Sequence, residues 1–208
     1  MLKKESILIL ILIVFYSVGI VGTHIPEYKQ SFLGLSYFNL LLSFSILLLA
    51  RKENPSRFIQ FLLFAFTIGM VVELIGVHTG YLFGDYHYDN NLGLKIYEVP
   101  LVIGLNWGLL TSVSASLIHR FFTNEIVKIL TGALIMTFFD VLMEPVAVKS
   151  GFWTWNKGEI PLYNYVCWFL VSILLQGVFI KLKLSETNKV NNVLFISMFV
   201  FFITLIAI

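Results

Sequence analysis

The stretch FIQFLLFAFTIGMVVELIGVHTG, residues 58–80, decides the fold. Its 23 residues carry one acidic side chain, Glu73, and no lysine or arginine. At a rise of about 1.5 Å per residue, a helix of this length covers the roughly 30 Å hydrocarbon core of a bilayer. The run Arg51-Lys52-Glu53-Asn54-Pro55 and Arg57 bound it on one side, and a segment rich in Gly, Asp, Asn, Tyr and His follows on the other. Six more runs share this character: 6–22, 32–50, 99–118, 126–148, 160–182 and 190–208. The sequence therefore predicts an all-α polytopic membrane bundle of about seven transmembrane helices in a single domain over residues 1–208. The first run follows Lys3 and Lys4 as a signal peptide does, but it is long for a signal core and no small-x-small cleavage site is clear, so it is read as a true span.

Composition agrees. Of 208 residues, 58% are hydrophobic and 12% charged, with a mean hydropathy of +0.88. A soluble domain carries about 45–50% apolar and about 25% charged residues. A net charge of +2 gives no field that would hold nucleic acid. The single cysteine, Cys167, allows neither an intrachain disulfide nor an iron–sulfur cluster, and four histidines fall short of the His boxes of a membrane di-iron oxygenase. Lys3, Lys4, Arg51, Lys52, Arg57, Arg120, Lys128, Lys181, Lys183 and Lys189 fall on one side of the spans; Lys29, Lys95, Lys149 and Lys157 fall on the other. This bias predicts a cytoplasmic N-terminus, with the loops 81–98 and 149–159 outside. A multi-pass protein of the cell membrane is expected.

Charged residues inside spans mark function by default. Here they are Glu73 on the third span and Asp140 and Glu144 on the fifth. Glu73 precedes Gly80 by seven residues and Asp140 precedes Val148 by eight, which places both carboxyls roughly 10–12 Å below the outer end. Glu144 lies one turn above Asp140 on the same face. The fourth and sixth spans start outside, and near their starts stand Asn106 and Trp107, then Asn164 and Trp168. Four helices thus place polar groups in the outer half, while the inner half reads as bare. Gly69, Glu73, Gly76 and Gly80 form one helical stripe. It is either a close helix–helix seam or a slot in which a flat apolar ligand, touching Gly76 and Gly80, reaches Glu73.

Other signals have plainer explanations. Tyr81, Phe83, Tyr86, Tyr88, Phe152, Trp153 and Trp155 are read as interfacial belt aromatics, although Trp153 and Trp155 would face the same way in an extended segment. His78, Asp85 and His87 match no metal-site spacing, and no metal is expected. His119 is read as capping a helix end. No nucleophilic triad spacing, dinucleotide fingerprint or P-loop is present. A carboxyl group in a dry site favours its neutral form and can donate a proton. A neighbouring ionised carboxyl can act as base. Glu73, Asp140 and Glu144 therefore make a candidate acid/base set, with the acid either Asp140 or Glu73.

The motif series is Glu73-x-x-Gly76-x-x-Thr79-Gly80-x-x-Phe83-Gly84-x-Tyr86-x-Tyr88, Val99-Pro100-x-x-Ile103, Asn106-Trp107, Asp140-x-x-x-Glu144-Pro145-x-Ala147, Gly151-x-Trp153-x-Trp155 and Ile160-Pro161-x-x-Asn164-x-x-x-Trp168. In order and spacing over about residues 69–168, it resembles the integral-membrane carotenoid biosynthesis family typified by the carotenoid 1',2'-hydratases (CruF-type). The resemblance implies hydration of the terminal double bond of an acyclic carotenoid end group, as in gamma-carotene, lycopene or a bacterioruberin precursor. It implies a substrate drawn from the lipid phase, contact with membrane lipid and possible association with other carotenoid-pathway enzymes. No cofactor and no nucleic-acid partner are expected. The residues suit that chemistry: a neutral carboxylic acid protonates the alkene, and carboxylate and aromatic faces stabilise the tertiary cation. Asn106 and Asn164 would hold water or the carboxyls, and Trp107, Trp153, Trp155 and Trp168 would shape the pocket. A carotenoid end-group cyclase shares the protonation step. A proton-coupled transporter also uses intramembrane carboxyls but needs a polar path through both halves. A prenyl transferase would need two acidic metal clusters and phosphate-binding cations.

Overall fold

Proline and asparagine set most of the helix starts. In the computed structural model, which describes residues 3–184 and 188–207, Pro26 opens α2 (Pro26–Leu33) and Pro55 opens α4 (Pro55–Thr79). Proline suits this position because its missing N–H would have no helical partner there. Pro100 and Pro161 cap α5 (Leu101–Ile118) and α7 (Leu162–Lys181). The Asn124 side chain accepts from the Ile126 and Val127 backbone amides to start α6 (Glu125–Lys149). Asn188 accepts from Asn191 to start α8 (Lys189–Ile206). The chain begins with α1 (Lys4–His24), and α3 (Ser36–Ala50) follows α2.

Six helices are long and apolar enough to cross a membrane: α1, α4, α5, α6, α7 and α8. The second expected span, 32–50, is broken: α2 and α3 meet at 54° across Gly34 and Leu35, so the count reaches seven only if this bent pair is one span. With 15 residues, α3 reaches about 22 Å, short of a bilayer core. The break lets the Phe32 ring press onto α1, where a Cβ on Gly22 would collide with it. The end of the seventh expected span, Ile208, lies outside the described residues.

The bundle is organised around α5, which is buried over most of its length and packs against α3, α4, α6, α7 and α8. The outer helices turn Leu10, Leu63, Leu134, Leu170 and Ile196 outward, as a lipid-facing surface requires.

The loops after α4 and α6 meet in a short antiparallel ladder. β1 (Tyr86–Tyr88) pairs with β4 (Trp153–Trp155), with Tyr86 opposite Trp155 and Tyr88 opposite Trp153. The bonds from Asp89 N to Phe152 O, 2.9 Å, and from Asn156 N to Asp85 O, 3.0 Å, extend it. β2 (Lys95–Ile96) and β3 (Val99–Pro100) form a second two-stranded turn before α5. Since the ladder joins these loops, the C-terminal ends of α4 and α6 and the N-terminal ends of α5 and α7 lie at one end of the bundle.

Two expectations are corrected here. Phe83, Tyr86, Tyr88, Phe152 and Trp155 are buried, while Tyr81 is 85% exposed and alone among them fits a belt position. The strand pairing turns alternate aromatics inward. The half of the bundle remote from the ladder is also not bare. Thr111, Ser112, Ser114, Ser116, Ser172 and Gln176 are buried there. Gln176 Nε2 donates to Ser114 Oγ at 2.7 Å, and Ser112 donates to the Gly108 carbonyl of its own helix. These groups are uncharged, and Thr111, Ser112 and Ser114 bond back to their own helix, which hid them in a hydrophobic reading.

Candidate active site

Two carboxyl clusters from α4 and α6 share one cavity. Its volume is about 430 Å³, and Glu73, Asp140 and Glu144 all line it. All three are buried, at 3%, 1% and 2% exposure.

Glu73 is held by donors from three directions. Oε2 accepts from the Tyr86 hydroxyl at 2.6 Å and the Tyr88 hydroxyl at 2.7 Å. Oε1 accepts from Trp107 Nε1 at 3.1 Å. The two tyrosines reach it together because alternate strand residues share a face. Burial, then the Glu73 charge beside them, holds both phenols well above their usual 10.0, so they stay protonated donors. The Trp107 ring stacks on Trp168 of α7 with centroids 3.9 Å apart and planes 22° off parallel.

Glu144 is held the same way from the other strand. Its Oε2 accepts from Trp153 Nε1 at 3.0 Å and Trp155 Nε1 at 2.8 Å. Asn164 Nδ2 donates to Asp140 Oδ2 at 2.8 Å and reaches Glu144 Oε1 at 3.4 Å. Asp140 Oδ1 is buried with no hydrogen-bond partner among the described residues. The three carboxyls therefore differ in kind: Glu73 and Glu144 sit among donors, and Asp140 is one donor short. Pro145, next to Glu144, has no N–H to give the Val141 carbonyl, which loosens the helix beside this pair.

The other sequence-named residues sort clearly. Asn106, Trp153, Trp155, Asn164 and Trp168 line the cavity. No hydrogen bond from the Asn106 side chain to another described residue occurs, so its amide is available to a guest. Trp107 stands behind the cavity wall as a donor to Glu73. Gly76 and Gly80 do not form a slot for substrate. A Cβ on Gly76 would lie 2.9 Å from both Phe83 and the Tyr86 hydroxyl, so this glycine admits the loop that carries Tyr86. Gly80 ends α4 in the left-handed region at φ 66°, its N–H bonded to the Gly76 carbonyl. Gly69 likewise gives room to Trp107, 2.6 Å from where its Cβ would be.

Sequence reasoning missed Tyr86 and Tyr88 as site residues. The signal was present: Tyr-x-Tyr repeats the alternation of Trp-x-Trp. It also missed the walls given by Tyr16, Asn39, Met198 and Phe201, so the cavity extends beyond residues 69–168. His87 instead bonds Asn156 on the outward face of the ladder, and among the described residues no group of three or more His, Cys, Asp or Glu is placed to hold a metal ion.

Such a site brings three buried carboxyl groups and several aromatic faces together around one largely apolar cavity, which suits acid–base chemistry on an apolar guest. Comparison with known proteins points the same way. Residues 33–208 match the family described as carotenoid biosynthesis protein. The chain is also similar to the bisanhydrobacterioruberin hydratase of Haloarcula japonica, at 30% identity over 120 residues. That alignment covers 50% of this chain and 39% of the relative. No solved structure matches.

Proposed function

Since this chain belongs to the carotenoid biosynthesis protein family, we propose that it is a hydratase of the cell membrane that adds water across the terminal 1',2' double bond of an acyclic carotenoid end group. The observation that carries this reading is the unequal treatment of three carboxyls around one cavity. Glu73 and Glu144 have the donor-only surroundings that suit a carboxylate, and Asp140 has an oxygen with no donor. A proton on Asp140 completes the set.

In this scheme the Asp140 carboxyl gives its proton to the less substituted alkene carbon. The π electrons form the new C–H bond and leave a tertiary cation. Negative charge on Glu73 and Glu144 stabilises that cation in a dry site far more than water would. The faces of Trp168 and Trp155 add cation–π attraction. A water molecule held by Asn106 and by Glu144 Oε1 forms the C–O bond and passes a proton to Glu144. That proton returns to Asp140, one helical turn away, and restores the starting state. The sum is alkene plus water giving a tertiary alcohol, with no redox or nucleotide cofactor.

Expression in a lycopene-producing host tests this. The expected pigment is heavier by one water per modified end. An isomer of unchanged mass would make the protein a cyclase, and unaltered pigment across several acyclic carotenoids would overturn an enzymatic role on them.

A further inference from the structure

The cavity is too small for the substrate class it is assigned. Its 430 Å³ equals a sphere about 9 Å across, room for one end group. A carotenoid polyene is about as long as the bilayer core is thick, roughly 30 Å. The remainder must leave the protein somewhere. Of the side chains lining the cavity, four are exposed on the outer surface: Phe15 52%, Val18 52%, Leu35 49% and Phe38 53%. All four are apolar, and they sit on two facing elements, α1 and the break that opens α3. No other wall of the cavity reaches the surface through an exposed lining residue.

A second feature continues from the same place. An apolar groove of about 420 Å³ runs along the outside of α1 and α2, lined by Ser17, Val18, Val21, Gly22, Ile25, Tyr28 and Phe32. Val18 and Phe32 belong to both the groove and the cavity. α2 and α3 meet at their 54° bend at this level, and both pack against α1.

The geometry points to a lateral mouth between α1 and the α2–α3 bend, through which the carotenoid end group enters from the bilayer while its polyene stays outside along the α1–α2 groove. This rests on the hydratase reading for the identity of the guest. Val18 and Phe38 form the rim. Phe32, seated on Gly22 at the junction, is the positioning side chain that sets how far the chain enters. An aromatic and aliphatic rim with no polar group admits a hydrocarbon tail and gives no purchase to a polar one.

The test uses the full-length protein in liposomes containing lycopene. Photoreactive benzoylphenylalanine is placed at Val18 or, as controls on lipid-facing surface elsewhere, at Leu130 or Leu170. Labelling with pigment is expected to be at least fivefold stronger at position 18. Val18→Trp is expected to lower lycopene hydration at least tenfold at normal protein level, with Leu130→Trp within twofold of wild type. Equal labelling at the three positions, or equal activity of the two tryptophan variants, overturns the mouth. Preferential labelling at 18 without any hydrated pigment keeps the mouth and overturns the hydratase reading. Hydration with uniform labelling does the reverse.

Discussion

Replacing Tyr88 by phenylalanine isolates one hydrogen bond in the proposed machinery. The ring keeps its edge-on contacts with Tyr86, 5.6 Å between centroids, and with Trp153, 5.9 Å. Only the hydroxyl 2.7 Å from Glu73 Oε2 is lost. Two donors remain on that carboxylate, Tyr86 and Trp107. A hydrogen bond to a charged group contributes about 1.5–3 kcal/mol, and each 1.36 kcal/mol is about tenfold in rate. The bond favours the charged form of Glu73; if that charge stabilises the cation, losing the donor thins the charged population and lowers hydration about 10- to 150-fold. The loss falls on kcat, with KM for lycopene held, because the cation exists only in the transition state. The assay is the initial rate of formation of hydrated lycopene by purified protein in liposomes, read by mass. Thermal melting of the same sample shows that the fold is intact. A kcat within threefold of wild type would refute the role given to Glu73 and its donors.

Asp140→Asn keeps the shape and the contact with Asn164 but has no acidic proton to give; activity is expected to drop at least 100-fold with melting temperature little changed, and near-normal hydration would remove Asp140 from the mechanism. Gly76→Ala drives a methyl to 2.9 Å from the Tyr86 hydroxyl and Phe83; overpacking of this kind costs about 1–3 kcal/mol, visible as a lower melting temperature together with reduced activity. The raised phenols of Tyr86 and Tyr88 predict alkaline behaviour. In the unfolded chain they ionise near 10.0 and in the folded one only well above it. Their contribution to stability is thus constant below pH 10 and falls as pH rises beyond it. Melting curves from pH 8 to 11 are the measurement, and the Tyr86→Phe, Tyr88→Phe double variant is expected to show a shallower alkaline fall.

The helices and the carboxyls were legible because their physics is local. A run such as 58–80 announces its own solvent, and Asp140 with Glu144 share a face by spacing alone. The strand pairing was not. It joins Tyr86 to Trp155 across two loops, through three residue pairs with no turn between them to signal it. The contribution of α1 and α8 was hidden for another reason. A membrane helix is apolar toward lipid and toward a hydrophobic cavity alike, so Phe15, Met198 and Phe201 carry no mark of the side they face. The break at Gly34 was masked by the apolar residues on both sides of it.

The pairing of β1 with β4 places the tyrosines that hold one acid and the tryptophans that hold another on opposite rails of a single track. Spacing between the two carboxyls is then a property of that track, set by its backbone bonds. His87 and Thr154, opposite one another on its outward face, touch neither acid. A change that pries them apart is nonetheless transmitted to both carboxyls together. Adaptation to a bulkier end group would on this account proceed through matched edits in both loops, never through one alone.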